Sequence, residues 1–230
     1  MGVSLQINPA DYIGRTISFE GAFEPKSLAR ATAIMRDGGV FLDIGCNFGL
    51  YTTVLGSLPR VECIAIDGSF VALAKLQDNL RLNPPMKVKI VNTALCEENA
   101  LLCFEVPTNG NLGGTHVSKV DYRDGGDSHF WVGGQVLQRV LERLAPAGIT
   151  LLKIDVEGSE MSVLRGLNFN GPYRPKHLIV ECYTDYFPQA TDCLEYIRSK
   201  GYEALTVDGR PIDDCKDLPE QNVWFRALYQ

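Results

Sequence analysis

What the sequence lacks narrows its possibilities first. No apolar run in its 230 residues approaches the ~20 that a membrane-spanning helix needs. Basic residues are outnumbered, 22 Lys and Arg against 28 Asp and Glu, for a net charge of -6. That balance offers no basic surface to neutralise a phosphate backbone, which argues against a nucleic-acid binder. The seven cysteines are odd in number and form no C-x-x-C pair. Neither a disulfide framework nor a zinc cluster is suggested, and a reducing, cytoplasmic setting is expected. Met1-Gly-Val-Ser-Leu-Gln6 lacks the basic and apolar regions of a secretory leader, and Gln6 stands where a myristoylation motif has Ser or Thr. There is no internal repeat and no linker-like stretch. The expectation is one globular domain, with residues 1–36 as a lead-in segment and helix and 37–230 as its body.

What is present is organised around Phe41-Leu-Asp-Ile-Gly-Cys-Asn-Phe-Gly-Leu-Tyr-Thr52. The apolar run from Val40 to Ile44 predicts a buried parallel strand, followed by a Gly turn and a helix from about Leu50 to Leu58. Gly45 and Gly49 let the backbone approach a ligand without a Cβ, and the helix start offers unpaired N–H groups. A dinucleotide site has G-x-G-x-x-G here, with a diphosphate on the helix N-terminus. The order in this chain is D-x-G-x-N-x-G. Asp43 would repel a diphosphate, which disfavours an NAD-linked oxidoreductase. The same carboxylate suits an ammonium or sulfonium group, as in S-adenosylmethionine, unless it only braces the turn. Cys46 carries little information, because a free Cys is often a small buried residue.

Along the chain, Met1 to Glu20 reads as loosely structured. Pro25 opens a helix to about Arg36, with Glu24 just before it. A second strand, Val61 to Ile66, ends at Asp67-Gly68. An acid there, about 20 residues past the Gly loop, is placed to accept from ribose hydroxyls. Phe70 to Leu82 predicts a helix, Val88 to Val91 a strand and Leu101 to Val106 another. Pro107 to Gly126 is rich in Gly, Asn, Asp and Thr without periodicity, which suits a lid over an acceptor pocket or, alternatively, disorder. Helix is expected from Gln135 to Leu144, then a buried strand from Ile149 leading to Lys153, Asp155 and Glu157. His177 to Cys182 is a further strand, Thr191 to Lys200 a helix, and Tyr202 to Val207 and Val223 to Leu228 closing strands. This alternation predicts an α/β fold with a doubly wound, mostly parallel sheet. Asp43, Asp67, Asp155 and Glu181 then share the carboxyl edge of the sheet, where ligands sit in such folds.

With these residues in view, the chain resembles the FkbM family of S-adenosylmethionine-dependent methyltransferases. The stretch 41–52 is similar to that family's D-[VI]-G-A-N-x-G-x-Y-T, including Asn47 where other methyltransferases carry Gly. Leu152-Lys-Ile-Asp-Val-Glu-Gly-Ser-Glu160 with Val163-Leu-Arg-Gly166 resembles its second signature, [LI]-K-[IM]-D-[VI]-E-G-x-E-x-x-[VA]-L-x-G. Two departures stand out. The second strand ends Asp67-Gly68 where Glu-Pro is usual, and a T-L-D segment is not evident around Phe130 to Gln138.

The resemblance implies a Rossmann-like class I methyltransferase fold with a final antiparallel strand. It implies S-adenosylmethionine as cofactor and a small hydroxylated acceptor, a sugar or secondary metabolite. The cofactor would lie along Glu24, Asp43, Gly45, Cys46, Asn47, Gly49, Tyr51, Thr52, Asp67, Gly68, Asn92, Thr93, Ala94 and Asp155. Catalytic candidates are Asp155, Glu157, Glu181, His129 and Lys153, since a hydroxyl acceptor needs a positioned base. His116 is a further candidate from the lid, whereas His177 opens its strand and reads as structural. Asp155, Glu157, Glu160 and Glu181 could alternatively hold Mg²⁺, although no metal is assigned. Two rival readings stay open, a catalytically silent S-adenosylmethionine binder and a methyltransferase acting on nitrogen.

Overall fold

The structure is a computed structural model, and it describes residues 2–105, 116–117, 129–182, 190–213 and 221–229. Its first element corrects the sequence expectation. Residues up to Glu20 include a helix, α1 (Tyr12–Glu20), and Asp11 caps it by accepting from the Gly14 N–H at 2.7 Å. Gly21 closes it in the left-handed region at φ 79°. Thr16, Ile17, Ser18 and Phe19 are weak helix formers, so propensity concealed an element that its two caps define. Before α1 the chain runs extended along a neighbouring helix. The Ser4 and Gln6 N–H groups donate to the side-chain oxygens of Asn83 and Asn79, at 2.8 and 2.6 Å.

The elements that follow are α2 (Pro25–Met35), β1 (Gly39–Ile44), α3 (Leu50–Gly56), β2 (Val61–Asp67), α4 (Phe70–Arg81) and β3 (Lys87–Asn92). Next come β4 (Ala94–Leu95), β5 (Ala100–Glu105), β6 (His116–Val117) and β7 (His129–Gln135). The chain ends with α5 (Leu137–Leu144), β8 (Ile149–Ile154), α6 (Glu160–Arg165), β9 (Pro175–Glu181), α7 (Ala190–Ser199), β10 (Tyr202–Thr206) and β11 (Asn222–Ala227). Among the described residues the main sheet has the order β10-β11-β9-β8-β1-β2-β3. β11 runs antiparallel to both neighbours, and every other pairing is parallel. The expected mostly parallel sheet with an antiparallel final strand is therefore present.

Both faces of this sheet are covered, which is why its strands read as continuous apolar runs. Alternation sends Leu42, Ile44, Leu152 and Ile154 into one core with Leu137, Leu141, Val163 and Leu194. Phe41 and Leu151 point the other way, against Ala31, Met35, Tyr51 and Leu55. The strand order reverses between β1 and β8, and in such sheets a crevice opens at that switch.

A second sheet, β4-β7-β5-β6, lies between β3 and α5 in the chain. The sequence reading missed most of it. Gln135, expected to begin a helix, ends β7, and the helix starts at Leu137. Gly133 and Gly134 hid the strand, since paired glycines read as a break. Here Gly134 is needed for packing, because a Cβ on it would sit 2.6 Å from the Cys96 sulfur. The Thr93 hydroxyl donates to the Gly133 carbonyl at 2.7 Å and fastens the second sheet to the end of β3. The lid expected over Pro107 to Gly126 lies outside the described residues apart from His116 and Val117, which pair with β5. No helix among the described residues is long and apolar enough to cross a membrane.

Candidate active site

The carboxyl edge of the main sheet opens into a cavity of about 790 Å³, within the range of small-molecule sites. The Gly loop forms its floor. Gly45 sits at φ 76°, and a Cβ built on it would lie 1.7 Å from the Asp155 carbonyl oxygen. The Gly45 N–H donates to the Ile66 carbonyl, and the Asp155 N–H donates to the Ile44 carbonyl. The loop is thus wedged between the ends of β2 and β8, and only glycine fits.

Asn47 follows at φ 51°, a conformation Asn tolerates because its short side chain can bond locally. Its Oδ1 accepts from the Phe48 N–H at 2.8 Å, while its own N–H donates to Asp67 Oδ2 at 2.9 Å. This explains the Asn where other loops carry Gly. The Ser69 N–H donates to the other Asp67 oxygen at 2.7 Å. A carboxylate offers about four acceptor positions, so Asp67 can still take two hydroxyls. Burial raises its pKa against the pull of those two N–H groups.

Asp43 is buried at 2 % exposure beneath the loop. The Thr52 hydroxyl donates to its Oδ2 at 2.6 Å. Burial pushes Asp43 up to about 6, with the Lys153 ammonium and the Thr52 hydroxyl opposing the rise. Thr52 therefore acts through Asp43, while Tyr51, Cys46 and Gly68 lie on the wall themselves. Burial raises the Cys46 thiol well above its ordinary value, which leaves it unreactive. Gly49 is off the wall; at φ 84° it makes room for Leu76 of α4, whose Cδ1 would lie 2.1 Å from a Cβ there. Of the three residues expected beside the base, Thr93 and Ala94 line the cavity. Asn92 does not, and its amide donates to the Asp67 and Gly68 carbonyls at 3.0 and 3.1 Å.

Across β1 the composition changes. Lys153, the last but one residue of β8, is 3 % exposed, and its Nζ donates to Asp155 Oδ2 at 2.6 Å. The same ammonium lies 4.7 Å over the Tyr51 ring, and the Tyr51 hydroxyl donates to Glu24 at 2.7 Å. Burial alone would lower Lys153, but Asp155, Glu24, Tyr51 and Asp43 hold it well above the ordinary lysine range. β8 ends at Ile154, so Asp155 leaves the strand and Glu157 stands in the following turn at φ 53°. Glu160 shapes that turn. Its Oε1 accepts from the Val156 and Gly158 N–H groups at 3.1 and 3.2 Å. Burial, then the charges of Asp155 and Glu160, push Glu157 up to about 7. Burial with Asp155 and Glu157 raises Glu181 far above the ordinary carboxyl range, and it shares a hydrogen bond with Asp155. No donor among the described residues reaches the buried Oε2 of Glu181. Among the described residues no group of three or more His, Cys, Asp or Glu side chains is arranged to hold a metal.

His129 stands apart from the wall, its Nε2 3.8 Å from the carboxylate of Glu105, which does line the cavity. The sequence reading also missed the apolar rim. Tyr12 and Ile13 of α1 and Phe23 line it on one side. Phe104 of β5 lies against Gly68, 2.7 Å from where a Cβ would be, and stacks on Phe130 at 5.5 Å between ring centroids. An Asp11 cap was the visible signal for the first group. Alternation through Leu102 and Phe104 was the signal for the second.

These residues fit S-adenosylmethionine: a cavity of about 790 Å³ at the sheet edge, a carboxylate with spare acceptor positions and a buried acid beneath the loop. The fold is the Rossmann-like one of class I methyltransferases. The profile of the methyltransferase FkbM domain matches residues 43–204, and the chain belongs to that family. It is an S-adenosylmethionine-dependent methyltransferase by family and fold, which together imply binding of that cofactor.

Among solved structures it is similar to the METTL16 MTase domain, 12% identical with a TM-score of 0.54, over 100% of this chain and 75% of that chain. It is also similar to a precorrin 8w decarboxylase of Methanobacterium thermoautotrophicum, 14% identical with a TM-score of 0.50, over 98% of this chain and 97% of that one. At such identities the likeness is one of fold. No curated protein matches the chain.

Proposed function

We propose that this methyltransferase acts on a hydroxyl of a small acceptor, a sugar or a compact metabolite, with Asp155 as the base. Bound S-adenosylmethionine supplies an activated methyl group, so the chain's own work is alignment and proton removal. The observation that carries the reading is the Lys153–Asp155 pair at 2.6 Å, at the end of the strand beside the Gly loop. Lys153 fixes the Asp155 carboxylate where it can accept the hydroxyl proton. Glu181, hydrogen-bonded to Asp155, gives that carboxylate a second fixed contact. A wall rich in carboxyl groups favours a small acceptor over a phosphate-bearing polymer. The free cysteines are all buried where described, which suits a reducing compartment such as the cytoplasm.

A labelled-methyl screen against sugars, lipids and small hydroxylated metabolites tests the acceptor class. On the acceptor it identifies, Asp155→Asn should lower turnover at least ~10²-fold, with affinity for the demethylated cofactor within about threefold. Unchanged turnover in that variant would assign the base elsewhere, with Glu181 next. Tight cofactor binding with no methyl incorporation into any acceptor would support a silent binder instead.

A further inference from the structure

We infer that the acceptor end of the cavity selects by charge, preferring an acceptor that carries an ammonium group beside its methylated hydroxyl and rejecting an anionic one. The inference rests on reading the cavity as a methyl-transfer site and names the acceptor class for it. Its ground is an imbalance. Among the described residues seven carboxyl side chains line the cavity and a single lysine joins them. On the β1–β2 side the acids are provided for, since Asp43 and Asp67 accept from Thr52, Asn47 and Ser69.

On the β8–β9 side they are not. Lys153 is committed to Asp155 and lies over Tyr51, and Glu24 already takes the Tyr51 hydroxyl. Glu157 and Glu181 face Asp155 with Lys153 as the only opposing charge among the described residues. The Glu181 Oε2 is closed off from solvent without a donor. Burial and the facing carboxyl groups raise both acids, so this end of the cavity holds more acidic groups than its one lysine can offset. An ammonium group would supply the missing charge, whereas a carboxylate or phosphate on the acceptor would add a further like charge in a site of low dielectric. The rim of Tyr12, Ile13, Phe23 and Leu50 gives the apolar part of such a molecule a surface.

The test uses the full chain saturated with demethylated cofactor, so that the cofactor's own ammonium is already in place. Dissociation constants for 2-phenylethylamine, 2-phenylethanol and phenylacetate, matched in skeleton and differing in charge, are measured by ligand-observed NMR. The amine should bind at least about tenfold tighter than the alcohol, and the acid should not bind saturably at millimolar concentration. In Glu157→Gln/Glu181→Gln the preference for the amine should fall to within about threefold. Equal affinities, tightest binding by the acid, no binding by any of the three, or a tenfold preference that survives the double substitution would each overturn the inference. The unmodified chain carries the test even if the variant folds poorly. Failure of the methyl-transfer reading registers separately, as absence of label in the acceptor screen, because the ligand series involves no transfer.

Discussion

The two halves of the cavity spend their hydrogen bonds differently. Beneath the Gly loop each acid has fixed donors, a hydroxyl for Asp43 and two backbone N–H groups for Asp67. Around the β8 and β9 ends, Asp155, Glu157 and Glu181 crowd about a single buried lysine. The first half is complete without ligand, as preorganised binding of an invariant molecule requires. The second is electrostatically unfinished, and that is where variation in the bound molecule can be read. On the proposed reading, the loop half holds the invariant molecule and the β8–β9 half selects the variable one.

Breaking the finished half should cost most. In Gly45→Ala the new Cβ meets the Asp155 carbonyl, and the residue keeps a positive φ. We expect a loss of at least about 3 kcal/mol in unfolding free energy, with cofactor binding abolished, from denaturant titration and calorimetry. Lys153→Met should cost about 3 kcal/mol by leaving Asp155 among acids without its cation. Combining it with Asp155→Asn should recover part of that loss, and an additive double variant would show that the pair is not coupled. Asp43→Ala should weaken binding of the demethylated cofactor by about 1–3 kcal/mol while sparing the amine-over-alcohol preference of the other half. NAD binding with no response to the demethylated cofactor would contradict the assignment of this half.

The smallest effect sharpens the contrast through pH. Asp43, Asp67, Glu157, Glu160 and Glu181 all have folded pKa values raised above their unfolded ones, so the folded chain binds more protons than the unfolded one as pH rises from about 4.5. Stability should therefore fall between pH 5 and 8 in the ligand-free protein. His177, lowered mainly by burial, acts in the opposite sense around pH 6, but it is one group against five. Calorimetry should show Tm dropping by a few degrees over this interval. Glu157→Gln/Glu181→Gln should flatten the upper part of the slope, towards pH 8, because Asp43 has its midpoint at about 6 and acts mainly below that part. A Tm that rises from pH 5 to 8 would contradict the raised values.

The main sheet was legible because its information is local and repeated. Buried parallel strands announce themselves as apolar runs, and the acids ending β1, β2 and β9, with Asp155 just past β8, follow those runs directly. The Gly loop was legible for a related reason, since a positive φ and a missing Cβ leave their mark in residue type. What escaped was held by long-range contacts. α1 depends on caps rather than propensity, and β7 carries a pair of glycines of which packing, not turning, requires Gly134. Among candidate site residues off the wall, two have side chains that serve another residue: Thr52 serves Asp43, and Asn92 serves two carbonyls at the end of β2. Sequence position marks such residues as near the ligand but not as touching it.

Asn79 of α4 gives the loop a consequence at a distance. Fully buried, its amide accepts from the Gln6 N–H at 2.6 Å and donates to the Phe48 carbonyl at 2.9 Å. One side chain thus rivets the first few residues of the chain to the Gly loop, though the two are remote in sequence. A rivet carries load both ways. Peeling the leading segment off α4 would cost Asn79 one of its two backbone partners and loosen its grip on the turn. Occupancy of the turn, conversely, would tighten the joint and shield the leading segment from proteases.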